Sequence, residues 1–305
     1  MNIFPPRDLK GYGSSPPNAD WPNAAKIAVQ FVINYEEGGE YCLSNGDKHS
    51  ESFLSEIVGA ERWDGMRHMN MESLYEYGSR SGFYRLHRLF TKFKIPVTVF
   101  AVAKALELNP DVIPLMQSAD WEIASHGYRW IDYHALSIDE EREHMNKAIA
   151  LHTQLTGERP LGWYTGRSSV HSRKLVVEEG GFSYDSDNYS DDLPFWDRNY
   201  QKPQLVVPYT LDVNDMRFAT PQGFNSGEQF YNYLKDTFDY LYEEGQDTPK
   251  MMSVGLHCRI VGRPGRTAAL AKFLKYVSEI NKKHNDVWFA KRIEIANHWQ
   301  KSFAP

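Results

Sequence analysis

The fold class that this sequence predicts is α/β, a distorted (β/α) barrel with seven or eight parallel strands. Three observations predict it. Short apolar, β-branched or aromatic runs alternate with helix-period segments from residue 26 onward. The runs are near-continuously apolar, which suits parallel strands covered by helices on their outer face. Almost every run ends in side chains able to do chemistry, as expected where the loops at the carboxyl ends of parallel strands converge. An open doubly wound sheet is the alternative arrangement. No G-x-G-x-x-G follows a strand and no Walker A pattern occurs, so nucleotide binding has no support.

Residues 1–25 read as an irregular arm, with five prolines between positions 5 and 22. It is expected to wrap the surface or to pack on a neighbouring subunit. Residues 26–305 read as one catalytic barrel domain, because no repeat, low-complexity tract or composition shift divides them. Strands are expected at 26–34, 96–103, 121–126, 161–165, 184–187, 205–211, 251–257 and 287–290. The clearest helix follows Ser137, which forms a capping-box pattern with Glu140, and it stops at Gly157. Another spans about 227–244, where Phe230, Leu234, Phe238 and Leu241 recur at helical spacing.

The bulk properties exclude several classes. A net charge of −6 offers no basic surface for nucleic acid, and no Lys/Arg run suggests a membrane patch. No apolar window approaches the roughly 18 residues of a membrane span, and the first residues lack the pattern of a signal peptide. Cys42 and Cys258 are the only cysteines and read as packing thiols, so a reducing cytoplasm is the expected setting.

The strand ends supply the candidate site. They deliver in turn Glu36-Glu37, Ser125-His126-Gly127, Tyr164 and Arg167 in "GWYTGR", Asp185 and Asp187, Asp212, Asn214 and Asp215 in "TLDVNDMRF", and His257 and Arg259 in "GLHCR". Taken singly, an acid at a strand end caps the next helix, and a lone histidine is a hydrogen-bonded structural group. Six such ends together point to a site. The acidic run "DSDNYSDDL" lacks EF-hand spacing and reads as a solvated turn. Met69, Met71, Tyr75 and Tyr77 read as packing residues.

In order and position these residues resemble the polysaccharide deacetylase (NodB-homology) family. "NYEEG" at 34–38 takes the place of its Thr-Phe-Asp-Asp-Gly motif, "HGYRW" at 126–130 that of His-Ser/Thr-x-x-His, and "LHC" at 256–258 that of Leu-x-His. The family holds a zinc-type ion with one aspartate and two histidines four residues apart. Here both acids are glutamates, and the second histidine position is Trp130, whose indole ligates nothing. The segments "NYEEGGE", "SHGYRWIDY", "YDSDNYSDDLPFW" and "DVNDMRF" resemble one branch, the cofactor-independent allantoinases. That resemblance implies hydrolysis of (S)-allantoin to allantoate without metal or other cofactor, in a homotetramer.

The resemblance also implies roles. Glu36 takes the place of the base and Glu37 that of the former metal ligand, although the residues alone leave open which glutamate activates water. Neighbours on a strand face opposite ways, but a bend before Gly38-Gly39 could admit both to the site; otherwise Glu37 pairs with an arginine. His257 is expected to protonate the leaving nitrogen. His126 is expected to bond substrate or orient water. Trp130 either stacks on a flat ring or belongs to the core. Arg167 and Asn214 have donors for ring carbonyls; Tyr164 is counted with them. Arg259 could do the same, or pair with an acid such as Asp215. Two other readings compete: a metal-dependent deacetylase that recruits His134 or a reoriented Glu37 as third ligand, and an inactive ligand-binding barrel.

Overall fold

The computed structural model describes residues 5–305, so positions 1–4 of the expected arm lie outside the described residues. Among the described residues nine strands occur in chain order: β1 (Ile27–Tyr35), β2 (Thr98–Ala101), β3 (Glu122–Ser125), β4 (Gly162–Trp163), β5 (Tyr184–Asp185), β6 (Phe195–Asp197), β7 (Gln204–Val206), β8 (Lys250–His257) and β9 (Val287–Phe289). The helices are α1 (Met69–Tyr77), α2 (Phe83–Phe93), α3 (Ala103–Leu108), α4 (Val112–Ser118), α5 (Ile138–Thr156), α6 (Ser172–Glu179), α7 (Gly227–Glu244), α8 (Pro264–His284) and α9 (Arg292–Ser302).

The strands form one curled sheet in the order β6-β7-β5-β4-β3-β2-β1-β8, with β9 beside the first half of β1. All pairings are parallel except β6 with β7. Beyond β8, the segment that follows β7 makes one isolated parallel bridge, Asn214 with Gly255, in which Gly255 N–H donates to Val213 O over 2.9 Å. The result is the distorted barrel expected from the sequence, with the antiparallel β6 added. The strand after 205 is shorter than expected because Pro208, which has no N–H to give, follows it closely.

β1 is central, and all nine of its residues are buried. Its period-2 alternation divides two cores. Ile27, Val29, Phe31, Ile33 and Tyr35 join the apolar layer that includes Phe90 of α2, Phe238 of α7 and Phe273 of α8. Ala28 and Val32 face the barrel interior with Phe100, Tyr164, Tyr184 and Tyr209. Across the interior stands Arg292, fully buried. It donates to Gln30 Oε1 (2.9 Å), Ser253 Oγ (3.0 Å), Ser186 Oγ (2.9 Å) and Pro208 O (2.8 Å), while its backbone N–H donates to Thr98 Oγ1 (2.8 Å). Partners from four parts of the barrel satisfy a guanidinium charge that would otherwise be costly to bury, and Thr98 takes the backbone N–H.

The expected capping box is present: Ser137 Oγ accepts from Glu140 N, Glu140 accepts from Ser137 N, and Gly157 closes α5 in the left-handed region. α7 spans the 227–244 read from its apolar spacing. The described part of the arm, residues 5–25, is irregular apart from turns and the short helical turn Pro22–Ala24. Trp21 anchors it by burying its ring and donating Nε1–H to Lys250 O at 3.0 Å.

Candidate active site

The alternation of β1 settles how two adjacent acids are used. Asn34 and Glu36 continue the inward face set by Val32, whereas Glu37 turns outward with Tyr35. Glu36, 1% exposed, is the hub. Its Oε1 lies 3.2 Å from His126 Nε2 at the end of β3 and 3.5 Å from His257 Nε2 at the end of β8. Its Oε2 accepts Arg259 Nη1–H at 2.6 Å. A carboxylate can only accept, so both facing imidazole nitrogens carry their protons toward Glu36. Burial alone would favour the neutral acid. The Arg259 guanidinium and the two imidazoles override it and hold Glu36 well below the usual carboxylate range.

His257 is fixed from its other side. Asp215, fully buried in the short helical turn Asp215–Ala219, accepts His257 Nδ1–H at 2.6 Å, the His257 backbone N–H at 2.8 Å and Val261 N–H at 2.9 Å. Burial opposes charging the imidazole, but the Glu36 and Asp215 carboxylates outweigh it and push His257 up to about 9. At neutral pH His257 is therefore an imidazolium between two carboxylates.

Glu37 sits behind this row. Its Oε1 accepts Arg259 N–H at 3.2 Å, its Oε2 accepts Glu36 N–H at 3.2 Å, and Arg259 Nη1 lies 3.8 Å away. A side chain on Gly78, where a π-helical turn joins α1 to α2, would collide with its carboxylate. Burial and the neighbouring Glu36 charge raise Glu37 to about 7, with Arg259 opposing. The position assigned to Glu37 in substrate contact is thus taken by support of the Arg259 backbone. Arg259 pairs with the two glutamates rather than with Asp215, and stacks over Tyr75 at 4.2 Å and Trp130 at 5.1 Å.

Other expected residues divide. Tyr164 lies beside His126, ring centroids 4.9 Å apart, and its hydroxyl meets that of Tyr189 at 3.0 Å. Trp130 is buried among Phe53, Tyr75 and two guanidiniums. Arg167 is occupied by Glu51 (3.2 Å), Asp132 (3.4 Å) and Trp130 O (3.3 Å), which replaces its expected role as a reader of ring carbonyls. Asn214 is likewise committed: its amide donates to Thr210 O and its oxygen accepts Met216 N–H. Its place just before a helical turn explains this, since asparagine is a strong N-cap. Sequence reasoning placed Asp215 among the strand ends and gave it no role beyond a possible pairing with Arg259. The spacing of "DVND" gave no sign that its carboxylate turns to His257. Glu51 and Leu54, from an irregular segment, carried no signal.

The metal site of the resembling family can be tested against these side chains. Trp130 offers no ligand atom, Glu37 turns away from His126, and His134 is exposed on the turn Tyr133–Ala135. Among the described residues no group of three or more His, Cys, Asp or Glu is arranged to hold an ion. The family's ligand set does not fit. Two buried valences on the side chains around Glu36 have no partner among the described residues: Arg259 Nη2, a donor, and His126 Nδ1, an acceptor when Nε2 holds the proton.

Comparison with known proteins agrees with this frame. A family profile described as Polysaccharide deacetylase matches residues 70–182. A Schizosaccharomyces pombe protein, provisionally named a polysaccharide deacetylase, is 42% identical over 317 residues, spanning 97% of this chain and 98% of its own. A solved structure from Pseudomonas aeruginosa PAO1, also provisionally named a polysaccharide deacetylase, is 59% identical with a TM-score of 0.95 over 98% of this chain and 99% of that one. A crystal structure of PuuE allantoinase is 57% identical with a TM-score of 0.96, covering 99% of this chain and all of that one (100%). None of the helices of the described residues is long and apolar enough to cross a membrane. Sharing 97% of its length with a relative that is 42% identical, the chain belongs to the polysaccharide deacetylase family of hydrolases.

Proposed function

We propose that the chain hydrolyses the ring amide of (S)-allantoin to allantoate, with Glu36 and His257 in place of a metal-bound water. The observation that carries the chemistry is the Glu36 carboxylate held between His126, His257 and Arg259. The likeness to PuuE allantoinase, over 99% of the chain, supports this choice of substrate. The unpartnered donor on Arg259 and acceptor on His126 complement the C=O and N–H of a cyclic ureide.

The chemistry follows from the charges. The ring carbonyl between the ring nitrogen and the ureido-bearing carbon is more electrophilic than an acetamide, so a weak base suffices. Glu36 takes a proton from water as the oxygen attacks that carbonyl. Arg259 lies beside the developing oxyanion and stabilises it. As the tetrahedral carbon collapses, the C–N bond breaks, and His257 Nε2 delivers its proton to the departing ring nitrogen. The proton held by Glu36 returns to His257, 3.5 Å away, and the product acid ionises. Asp215 accepts Nδ1–H throughout, which keeps Nε2 turned toward Glu36 and favours return of the proton to it.

Incubation with racemic allantoin, followed by assay of allantoate and of optical rotation, tests this. Turnover of one enantiomer, undiminished by prior chelation, is expected. Absence of allantoate, or acetate release from N-acetylated sugars that depends on added zinc, would refute it.

A further inference from the structure

Glu36 and the three groups around it, His126, His257 and Arg259, are 1–5% exposed, so contact with a substrate requires a movement. Against Arg259 and Trp130 lie residues 51–57, a stretch with neither helix nor strand. Glu51 begins it, accepting Ser52 N–H and Phe53 N–H on Oε1 and pairing with Arg167 through Oε2. The Phe53 ring stacks on Trp130 at 5.9 Å, and its carbonyl accepts Tyr75 O–H at 3.1 Å. Leu54 is buried with φ +53°, a left-handed conformation that a branched side chain rarely adopts unless its surroundings hold it there. Its carbonyl accepts Arg259 Nε–H at 3.4 Å. Glu56 closes the stretch onto α8, 2.7 Å from Arg266 and 3.7 Å from Arg263.

We infer that residues 51–57 are a hinged roof that opens to admit a small free cyclic amide and recloses over it, and that this roof restricts the site to molecules it can enclose whole. The inference rests on the proposed cyclic-amide reaction for the kind of molecule admitted. The Leu54 carbonyl is the same kind of acceptor as a substrate carbonyl, so opening and binding exchange one amide oxygen for another at Arg259. The anchors suit a gate: few hydrogen bonds, three ion pairs of which two are peripheral, and one residue in a left-handed conformation, rather than a packed helix. A polysaccharide continues on both sides of its scissile group and needs an open groove, which a roof over Glu36 denies.

Hydrogen exchange of the full chain, read on peptides covering 51–57, tests this with hydantoin as the probe. E56Q and R266Q each remove the closing ion pair on the protein surface. Each is expected to speed exchange there about threefold, within the range of a partly exposed pair, while β1 is unchanged. Saturating hydantoin is expected to slow exchange across 51–57 in wild type and variants, and a four-residue chitin oligosaccharide to leave it unaltered. Exchange insensitive to hydantoin and to both variants overturns the roof, as does protection by the oligosaccharide equal to that by hydantoin. If hydantoin protects 51–57 but allantoin is not turned over, the roof stands and the proposed reaction falls. If allantoin is turned over while 51–57 ignores hydantoin, the roof falls and the reaction stands.

Discussion

Replacing Asp215 by Asn isolates the charge that keeps His257 protonated. The wild-type carboxylate accepts His257 Nδ1–H at 2.6 Å in a fully buried setting. In D215N the amide oxygen can still accept the backbone N–H groups of His257 and Val261, but the amide N–H₂ now faces Nδ1. That nitrogen must then become an acceptor, which only the neutral ring provides. A hydrogen bond to a charged group is worth about 1.5–3 kcal/mol, and one pKa unit is about 1.4 kcal/mol. The loss therefore lowers His257 by about one to two units, from about 9 to about 7–8. The alkaline limb of kcat/KM against pH, set by loss of the proton that His257 donates, should move down by that amount. Stability should follow. His257 has a folded-state pKa above its ordinary 6.5, so its ion pairs add stability that is complete below 6.5 and is lost as pH rises through about 9. In D215N that loss should be complete at lower pH. Stopped assays of allantoate from pH 6 to about 10, with urea melts at matching pH, provide both measurements. An alkaline limb that stays at the wild-type position would show that His257 is not the proton donor, or that Asp215 does not hold its charge.

Glu37 gives the same sign in a lower pH window. Its folded pKa of about 7 exceeds its ordinary 4.5, so the folded state binds the proton more tightly and stability falls as pH rises between those values. E37Q should flatten this window and gain stability above pH 7 relative to wild type, seen by urea melts, while keeping measurable turnover because its carboxylate faces Gly78 and not His126. R259A strands two buried carboxylates and should lose about 3–5 kcal/mol of stability. The surviving fold should have its acid limb moved up toward neutrality as Glu36 loses its guanidinium, with R259K restoring only part of it. G82A would set a Cβ 1.9 Å from the Cys258 carbonyl oxygen, a backbone atom between His257 and Arg259. A loss of at least about 1–3 kcal/mol is expected by thermal melting, with a fall in kcat greater than the change in KM. Wild-type behaviour of G82A would show that the strand end tolerates displacement.

The architecture was legible because β1 and β8 are continuous apolar runs and because Ser137, Glu140 and Gly157 mark α5 at both ends. Strand length was less legible. Register partners, and not propensity, limit β4 and β5 to two residues each, although the runs at 161–165 and 184–187 look longer. The position of Glu36 could be reached by counting from Val32 in steps of two, and the same count turns Glu37 away. Arg167 and Asn214 show where side-chain chemistry misleads: a free guanidinium and a capping amide look alike in sequence, and only tertiary partners such as Glu51 and Met216 N–H distinguish them. Asp215 and the stretch 51–57 come from irregular backbone, where no periodicity reports which way a group faces.

Arg292 has one more implication. The sites it fastens on β1, β2 and β8 and beside β5 and β7 are all synthesised before it, yet none can complete its hydrogen bonds until α9 emerges. Until then the interior holds Gln30, Ser186 and Ser253 without their common donor. Maturation of the barrel is thus timed by translation: a nascent chain stalled ahead of α9 should be trapped with a wet, protease-sensitive interior, however well its outer helices have docked.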